Sequence, residues 1–298
     1  MTIALAPQDN RLSNPADKPE KRRRTGGNSL LAGIAAWIIG LVFVAPIVMM
    51  ILTSFHSESQ ATLNAPDVFA PLTLNGYREF FGAQSGQSPW PFLRNTLLAS
   101  VVSTLIVLAL AIPAAYALSV KPVRKWTDVM FFFLSTKFLP AAAGLAPLFV
   151  IALKIGALDH IWFLIVLYTA MNLPIAVWMM RSFLADIPPA LFEAASLDGA
   201  GLRKILTRVV APIAMPGIAS TALICFIFSW NELLLANLLT STSAAQTGPV
   251  LLTGFVTSQG LFLAKVCAAA TAVSVPVLVA GFAAQDKLVQ GLSMGAVK

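Results

Sequence analysis

Leu30–Leu52 reads LLAGIAAWIIGLVFVAPIVMMIL, twenty-three consecutive residues without a charge. A helix needs about 20 mostly apolar residues to cross the hydrocarbon of a bilayer. Five further stretches qualify: Asn95–Leu118, Val129–Leu153 (interrupted by Lys137), Ile161–Met180, Ile213–Leu239 and Cys267–Ala284. Pro46, Pro113, Pro140, Pro147, Pro174 and Pro276 fall inside these runs. In a membrane bundle neighbouring helices can satisfy the backbone groups that a proline frees. Barrel strands alternate apolar and polar residues over about 10 positions. These runs are apolar on all sides and about twice as long, so an all-α polytopic membrane protein with six transmembrane helices is expected. The first run is longer than the 7–15-residue core of a signal peptide, and it is read as a retained helix.

Composition agrees. Hydrophobic residues make up 57% of the 298-residue chain and charged residues 11%, against about 45–50% and about 25% in soluble domains. A soluble nucleic-acid module, a disordered acidic chain and a disulfide-stapled secreted domain are excluded. Cys225 and Cys267 both lie in apolar runs and read as small buried hydrophobes, with no metal cluster in view. His56 and His160 stand in polar stretches and read as solvated loop residues.

Charge placement gives an orientation. With the N-terminus cytoplasmic, fifteen of the twenty Lys and Arg fall on the inner side and four on the outer; Lys137 lies within a span. Both termini are therefore expected inside, as a multi-pass protein of the plasma membrane. Residues 1–29 form a polar leader with the basic run KRRR just ahead of the first span. It reads as disordered, with the basic run controlling topology and touching anionic lipid rather than nucleic acid. Residues 30–284 then form the six-helix transmembrane domain, with an outer loop at 55–91 carrying one short helix near 74–81. Residues 285–298 form a cytoplasmic tail.

The one long inner loop, 186–212, deserves its own reading. Pro188 and Pro189 suit a helix start, Ala190–Asp198 are good helix formers, and Gly199 suits the stop. Glu193 is the only charge before Asp198, and Ala194, Ala195 and Gly199 leave little side-chain bulk. Ala195 and Gly199, four residues apart, share one face. Such a slim helix could enter a cleft on a partner, with Glu193 pairing to an Arg; an ordinary interfacial loop is the alternative. Leu202, Ile205, Leu206, Val209 and Val210 then repeat at helical spacing opposite Arg203, Lys204, Thr207 and Arg208. That pattern fits a basic amphipathic helix on the inner membrane surface.

Glu193–Pro212, EAASLDGAGLRKILTRVVAP, resembles the EAA loop of binding-protein-dependent ABC importer permeases. In that family EAA is followed after three residues by Gly and, nine residues later, by Ile-x-Leu-Pro; here Val209-Val210-Ala211-Pro212 stands at the closing position. PFLRNTLLAS, AIPAAYALS, NLPIAVWMMRSF and WNELLLANLLT are similar to the carbohydrate-uptake branch, and QDKLVQGLSMGAVK to the C-terminus of its MalG-like members. STKFLP and YTAMNLPIAVWMM resemble sorbitol/mannitol-type permeases. The resemblance implies a type I ABC importer architecture. The partners would be a homologous permease subunit, two ATP-binding subunits and an extracytoplasmic solute-binding protein. It implies that Glu193, Ala194, Ala195, Asp198 and Gly199 couple the chain to an ATPase, and that ATP and Mg are used by that partner. The chain itself contains no G-x-x-x-x-G-K-[ST] phosphate loop and no constellation readable as catalytic or metal-binding, so no cofactor is expected on it.

Polar groups at membrane depth are costly and tend to be functional. Lys137 lies on the order of 12 Å deep and either snorkels to the inner interface or faces the pathway. Asn172 donates to a neighbouring helix or touches a solute hydroxyl. Trp230, Asn231 and Glu232 are the remaining pathway candidates, the Trp through its apolar face. A secondary transporter driven by an ion gradient, or an ABC permease for a non-sugar solute, are the alternative readings.

Overall fold

The computed structural model describes residues 28–62, 70–82, 88–120, 123–138, 141–257 and 260–296. Of the expected leader at 1–29, residues 1–27 lie outside them. The chain divides into two units, one ending at Val48 and the other starting at Met49. Among the described residues the first unit holds the N-terminal part of α1 (Asn28–Ser54). Its apolar side chains, such as Trp37 and Phe43, are exposed, as befits a helix bathed in lipid or covered by another subunit.

The second unit continues with α2 (Glu58–Ala61), α3 (Asn75–Phe81), α4 (Trp90–Ser119), α5 (Trp126–Ser135), α6 (Ala141–Lys154) and α7 (Ile161–Ala185). It goes on with α8 (Pro189–Leu197), α9 (Leu202–Lys204), a π-helical turn at Ile205–Val210, α10 (Ala211–Ile213), α11 (Met215–Trp230), α12 (Leu234–Leu239) and α13 (Gly248–Thr253). A two-residue hairpin, β1 (Val256–Thr257) with β2 (Gly260–Leu261), precedes α14 (Leu263–Ala296). The short helix expected near 74–81 is α3.

Among the described residues four helices are long and apolar enough to cross a membrane: α1, α4, α7 and α14. Two bent pairs bring the count to six if each pair is one span. The third expected span, 129–153, is not one straight helix: its two halves meet at 90°. A 3-10 turn at Thr136–Phe138 ends the first half, and the following Leu139-Pro140 disfavours helical continuation, because a proline pushes its predecessor out of the α region. The fifth expected span, 213–239, is also corrected. It ends at Trp230, and α12 starts afresh at Leu234. Its N-terminal partner, Leu202–Ile213, joins at 85°. The basic amphipathic helix is thus short, with Ile205 and Val210 buried, Leu202 exposed and a π-turn in the middle.

Small residues let α4 approach its neighbours: Ala99, Ala111 and Ala115, together with Ala176 of α7, are fully buried. At α11, a Cβ on Gly217 would lie 2.4 Å from the Phe183 ring of α7. The core is in three parts. One joins α4, α5, α7, α8 and the π-turn around Met180 and Leu184. A second gathers Phe163, Leu164 and Tyr168 with Leu235 and Leu239. A third holds Phe80, Phe92, Trp230, Leu251 and Val273. Arg181 places its guanidinium 3.7 Å over the Trp126 ring, fastening α5 to the end of α7.

Cys225 and Cys267 are buried and free, as read from the sequence. His56 is not a solvated loop residue. It is 2% exposed, and neither ring nitrogen has a hydrogen-bond partner among the described residues. The reason is local: the chain after α1 folds back on α3 through Thr73 N–H to the Phe55 carbonyl, which tucks the imidazole inward. His160 is exposed.

Candidate functional site

Helix α8 starts as the sequence implies. Pro188 is extended (φ −57°, ψ 129°) and Pro189 occupies the first turn, where no hydrogen bond is forfeited. Phe192 is the residue that holds the helix in place. It is buried, and its ring meets Tyr116 of α4 edge-on, with centroids 5.7 Å apart and planes at 70°. Met180, Leu184, Ile187, Ile205 and Val210 complete the apolar bed. The helix ends in a paired cap. Gly199 N–H donates to the Ser196 carbonyl at 3.1 Å, and Ala200 N–H donates to the Ala195 carbonyl at 3.0 Å. This Schellman arrangement needs a left-handed residue, and Gly199 has φ +71°.

With Phe192 turned inward, Glu193, Ala194, Leu197 and Asp198 are exposed. Ala195 is not on that free face. It is half-buried against the bed, because it follows Phe192 by three residues and so shares its side of the helix. Leu197, which the sequence reading passed over, is 88% exposed. The signal was present: a Leu on the polar side of a helix, beside its one Glu. A cleft of about 560 Å³ lies along Pro189, Glu193, Ser196 and Leu197, closed at one end by Val120 of the α4 terminus.

The candidate pathway residues separate. Asn172 is fully buried, and its amide donates to the Tyr168 carbonyl at 3.0 Å and to Ser229 Oγ at 2.9 Å. Ser229 Oγ lies 3.2 Å from Ser103 Oγ. The three residues therefore tie α7, α11 and α4 together at membrane depth. Trp230 is 2% exposed, and its indole N–H donates to the Val273 carbonyl of α14 at 3.1 Å. Its ring packs on Phe226 and, with Asn231, borders a cavity of about 540 Å³. Glu232 accepts the N–H groups of Leu235 at 2.8 Å and Ala236 at 3.2 Å, capping the start of α12. That cap is why the apolar run breaks there. Asn231 is exposed, with its amide donating to the Ile227 carbonyl. Lys137 is exposed, and its ammonium donates to the Met171 carbonyl of α7. Among the described residues no group of three or more His, Cys, Asp or Glu could hold a metal ion.

At the end of the bundle away from α8, Asp159 ties the α6–α7 loop to the segment after α12. Its carboxylate accepts the backbone N–H groups of Ser241 and Thr242 and the Thr242 hydroxyl. Burial works to raise its pKa, but these three donors outweigh it and hold the carboxyl below its ordinary value.

The bent spans, the projecting α8 and the polytopic core define a membrane permease, and the comparisons agree. Residues 80–293 match the family described as binding-protein-dependent transport system inner membrane component. The chain is 36% identical to "Probable ABC transporter permease protein y4oR" of Sinorhizobium fredii, over 88% of this chain and 92% of that protein. It is 30% identical to the trehalose/maltose transport system permease protein MalG of Thermococcus litoralis, over 90% and 96%. A solved bacterial ABC transporter involved in the import of the acidic polysaccharide alginate is 22% identical and shares the fold, with a TM-score of 0.72 covering 91% of this chain and all of that one. The chain belongs to the inner-membrane component family of binding-protein-dependent transport systems: it is an ABC transporter permease subunit.

Proposed function

We propose that this permease forms half of the pathway of an ATP-driven importer for a carbohydrate or polyol, and that α8 docks on an ATP-hydrolysing partner. The observation that carries the docking role is the division of α8 into an anchored face, Phe192 and Ala195, and a free one, Glu193, Ala194, Leu197 and Asp198. A rigidly seated helix transmits a push; its exposed Leu and carboxylates supply an apolar anchor and a handle for a basic groove. The Lys and Arg distribution supports a cytoplasmic side for α8 and both termini, where ATP and Mg are available to the partner.

The assembly comprises a homologous permease, two ATP-binding subunits, an extracytoplasmic solute-binding protein and membrane lipid. The carbohydrate assignment rests on relatives such as the trehalose/maltose permease. Lys137, Asn172, Trp230, Asn231 and Glu232 are the candidate pathway residues, Lys137 and Asn231 with exposed side chains.

The test is ATP hydrolysis and uptake by the assembled transporter carrying Glu193→Ala or Leu197→Asp. Loss of solute-stimulated hydrolysis with membrane insertion intact is expected. Unchanged uptake with both variants overturns the docking role, and uptake that follows an ion gradient without ATP overturns the importer reading.

A further inference from the structure

From a cavity at the end of the bundle opposite α8, we infer a binding site for a neutral, hydroxyl-rich solute within this chain, on the premise that it transports carbohydrates or polyols. The cavity measures about 490 Å³, within the roughly 300–1,000 Å³ of small-ligand sites. Phe92 of α4 closes its floor and Phe255 forms a wall; Asn237, Ser241, Gln246 and Lys265 contribute polar groups. Phe92 and Tyr116, the residue under α8, are 24 positions apart on one helix, roughly 36 Å at 1.5 Å per residue. The cavity therefore sits far from the coupling helix.

Three features select the ligand. First, the side-chain amides of Asn237 and Gln246 and the Ser241 hydroxyl have no hydrogen-bond partner among the described residues. The backbone around them is fixed: the Gln246 carbonyl accepts from Asn95 Nδ2 at 3.0 Å, and Ser241 N–H donates to Asp159. The polar groups are thus unengaged but held on a rigid frame, the condition for low ordering cost on binding. Amides and hydroxyls both donate and accept, and so do sugar hydroxyls. Secondly, phenylalanine rings border the same space, suited to the apolar C–H faces of a sugar or polyol. Thirdly, the cation among the described lining residues, Lys265, is already engaged. Lys265 Nζ lies 3.8 Å from a Glu79 carboxylate oxygen and 5.2 Å from the Phe255 ring centroid. An anionic ligand would compete with Glu79, so neutral solutes are favoured.

The site is tested on the full chain in lipid nanodiscs by saturation-transfer NMR, with maltose, trehalose and sorbitol as probes. Uptake of the same probes by the assembled transporter is measured in parallel. Saturation transfer is expected for at least one probe, together with its loss in Asn237→Leu/Gln246→Leu and its retention in Thr207→Val, which lies in the π-helical turn after α9 and outside the cavity. The double variant is expected to raise the solute concentration for half-maximal uptake by about tenfold, the scale of two neutral hydrogen bonds. Thermal unfolding of the variants separates lost binding from lost fold, and Asn237→Asp, which preserves shape, serves where the double variant is unstable. No transfer to the wild-type chain, or equal transfer to the double variant, overturns the site even where uptake is normal. Failure of the wild-type transporter to import any sugar or polyol overturns the carbohydrate premise instead.

Discussion

The Phe192 ring of α8 stands edge-on to Tyr116 near the C-terminal end of α4, with 5.7 Å between centroids. Through this contact a surface helix of nine residues is referred to one of the long spans. A helix of that length is marginal in isolation, so its orientation depends on the anchor. Phe192→Ala removes a buried ring, a change that costs about 3–5 kcal/mol at well-packed sites. The expected result is a freed α8, with solute-stimulated ATP hydrolysis by the assembled transporter largely abolished while the chain still inserts. Phe192→Leu, which keeps most of the volume, is expected to retain most of the coupling.

Gly199 tests the cap. Its φ of +71° is strained for any residue with a Cβ, yet no atom stands within 4 Å of where that Cβ would go. The penalty of Gly199→Ala is thus purely conformational, about 1 kcal/mol, whereas Asn, which visits the left-handed region more readily, costs less. Hydrogen exchange of the Gly199 and Ala200 amides is expected to quicken in the Ala variant and to change little in the Asn variant.

The Asn172–Ser229–Ser103 chain explains a buried polar triad at membrane depth. Side-chain hydrogen bonds between membrane helices average about 0.6 kcal/mol, with a maximum near 1.7. Asn172→Leu and Ser229→Ala are each expected to lower stability in detergent by an amount in that range. Because they share one bond, a double-mutant cycle should show clear non-additivity; additive effects would mean that the 2.9 Å contact contributes nothing.

Much of this was legible in the sequence, and the failures have physical causes. The start and stop of α8 rest on residues with one conformational meaning, Pro188-Pro189 and Gly199, so the helix was readable. The break at 231–233 was not, because hydropathy sees an unbroken run and cannot see the Glu232 carboxylate folding back onto the Leu235 and Ala236 amides. The same limit applies to His56: a His in a polar stretch reads as solvated until the chain reversal at Phe55 buries it. Ala195 misled in another way. The four-residue step to Gly199 holds along the helix, but only the Phe192 anchor says which face is free.

Asp159 gives a pH signature. Its folded-state pKa is depressed below the ordinary value of 3.8, so the folded state binds the proton less tightly than the unfolded chain does. The clamp on Ser241 and Thr242 therefore contributes fully above the ordinary carboxylate range and is lost as pH falls through the depressed value. Asp159→Asn keeps one acceptor and cannot titrate. Between pH 5 and pH 2, roughly, the thermal midpoint of the wild-type chain is expected to fall towards that of the variant. Parallel curves over that window would dissociate the clamp from stability.

Glu232 separates capping from transport. Its two oxygens take two amides at the start of α12, a role that ordinarily contributes about 1 kcal/mol. Glu232→Gln keeps one acceptor and Glu232→Ala keeps none, so stability should decline in the order Glu, Gln, Ala. If capping is the whole of its role, uptake follows the same order and recovers when the temperature is lowered. A Gln variant of normal stability that nevertheless transports slowly would show that the carboxylate also acts on the solute, because the lost charge is then the only change left to account for the rate.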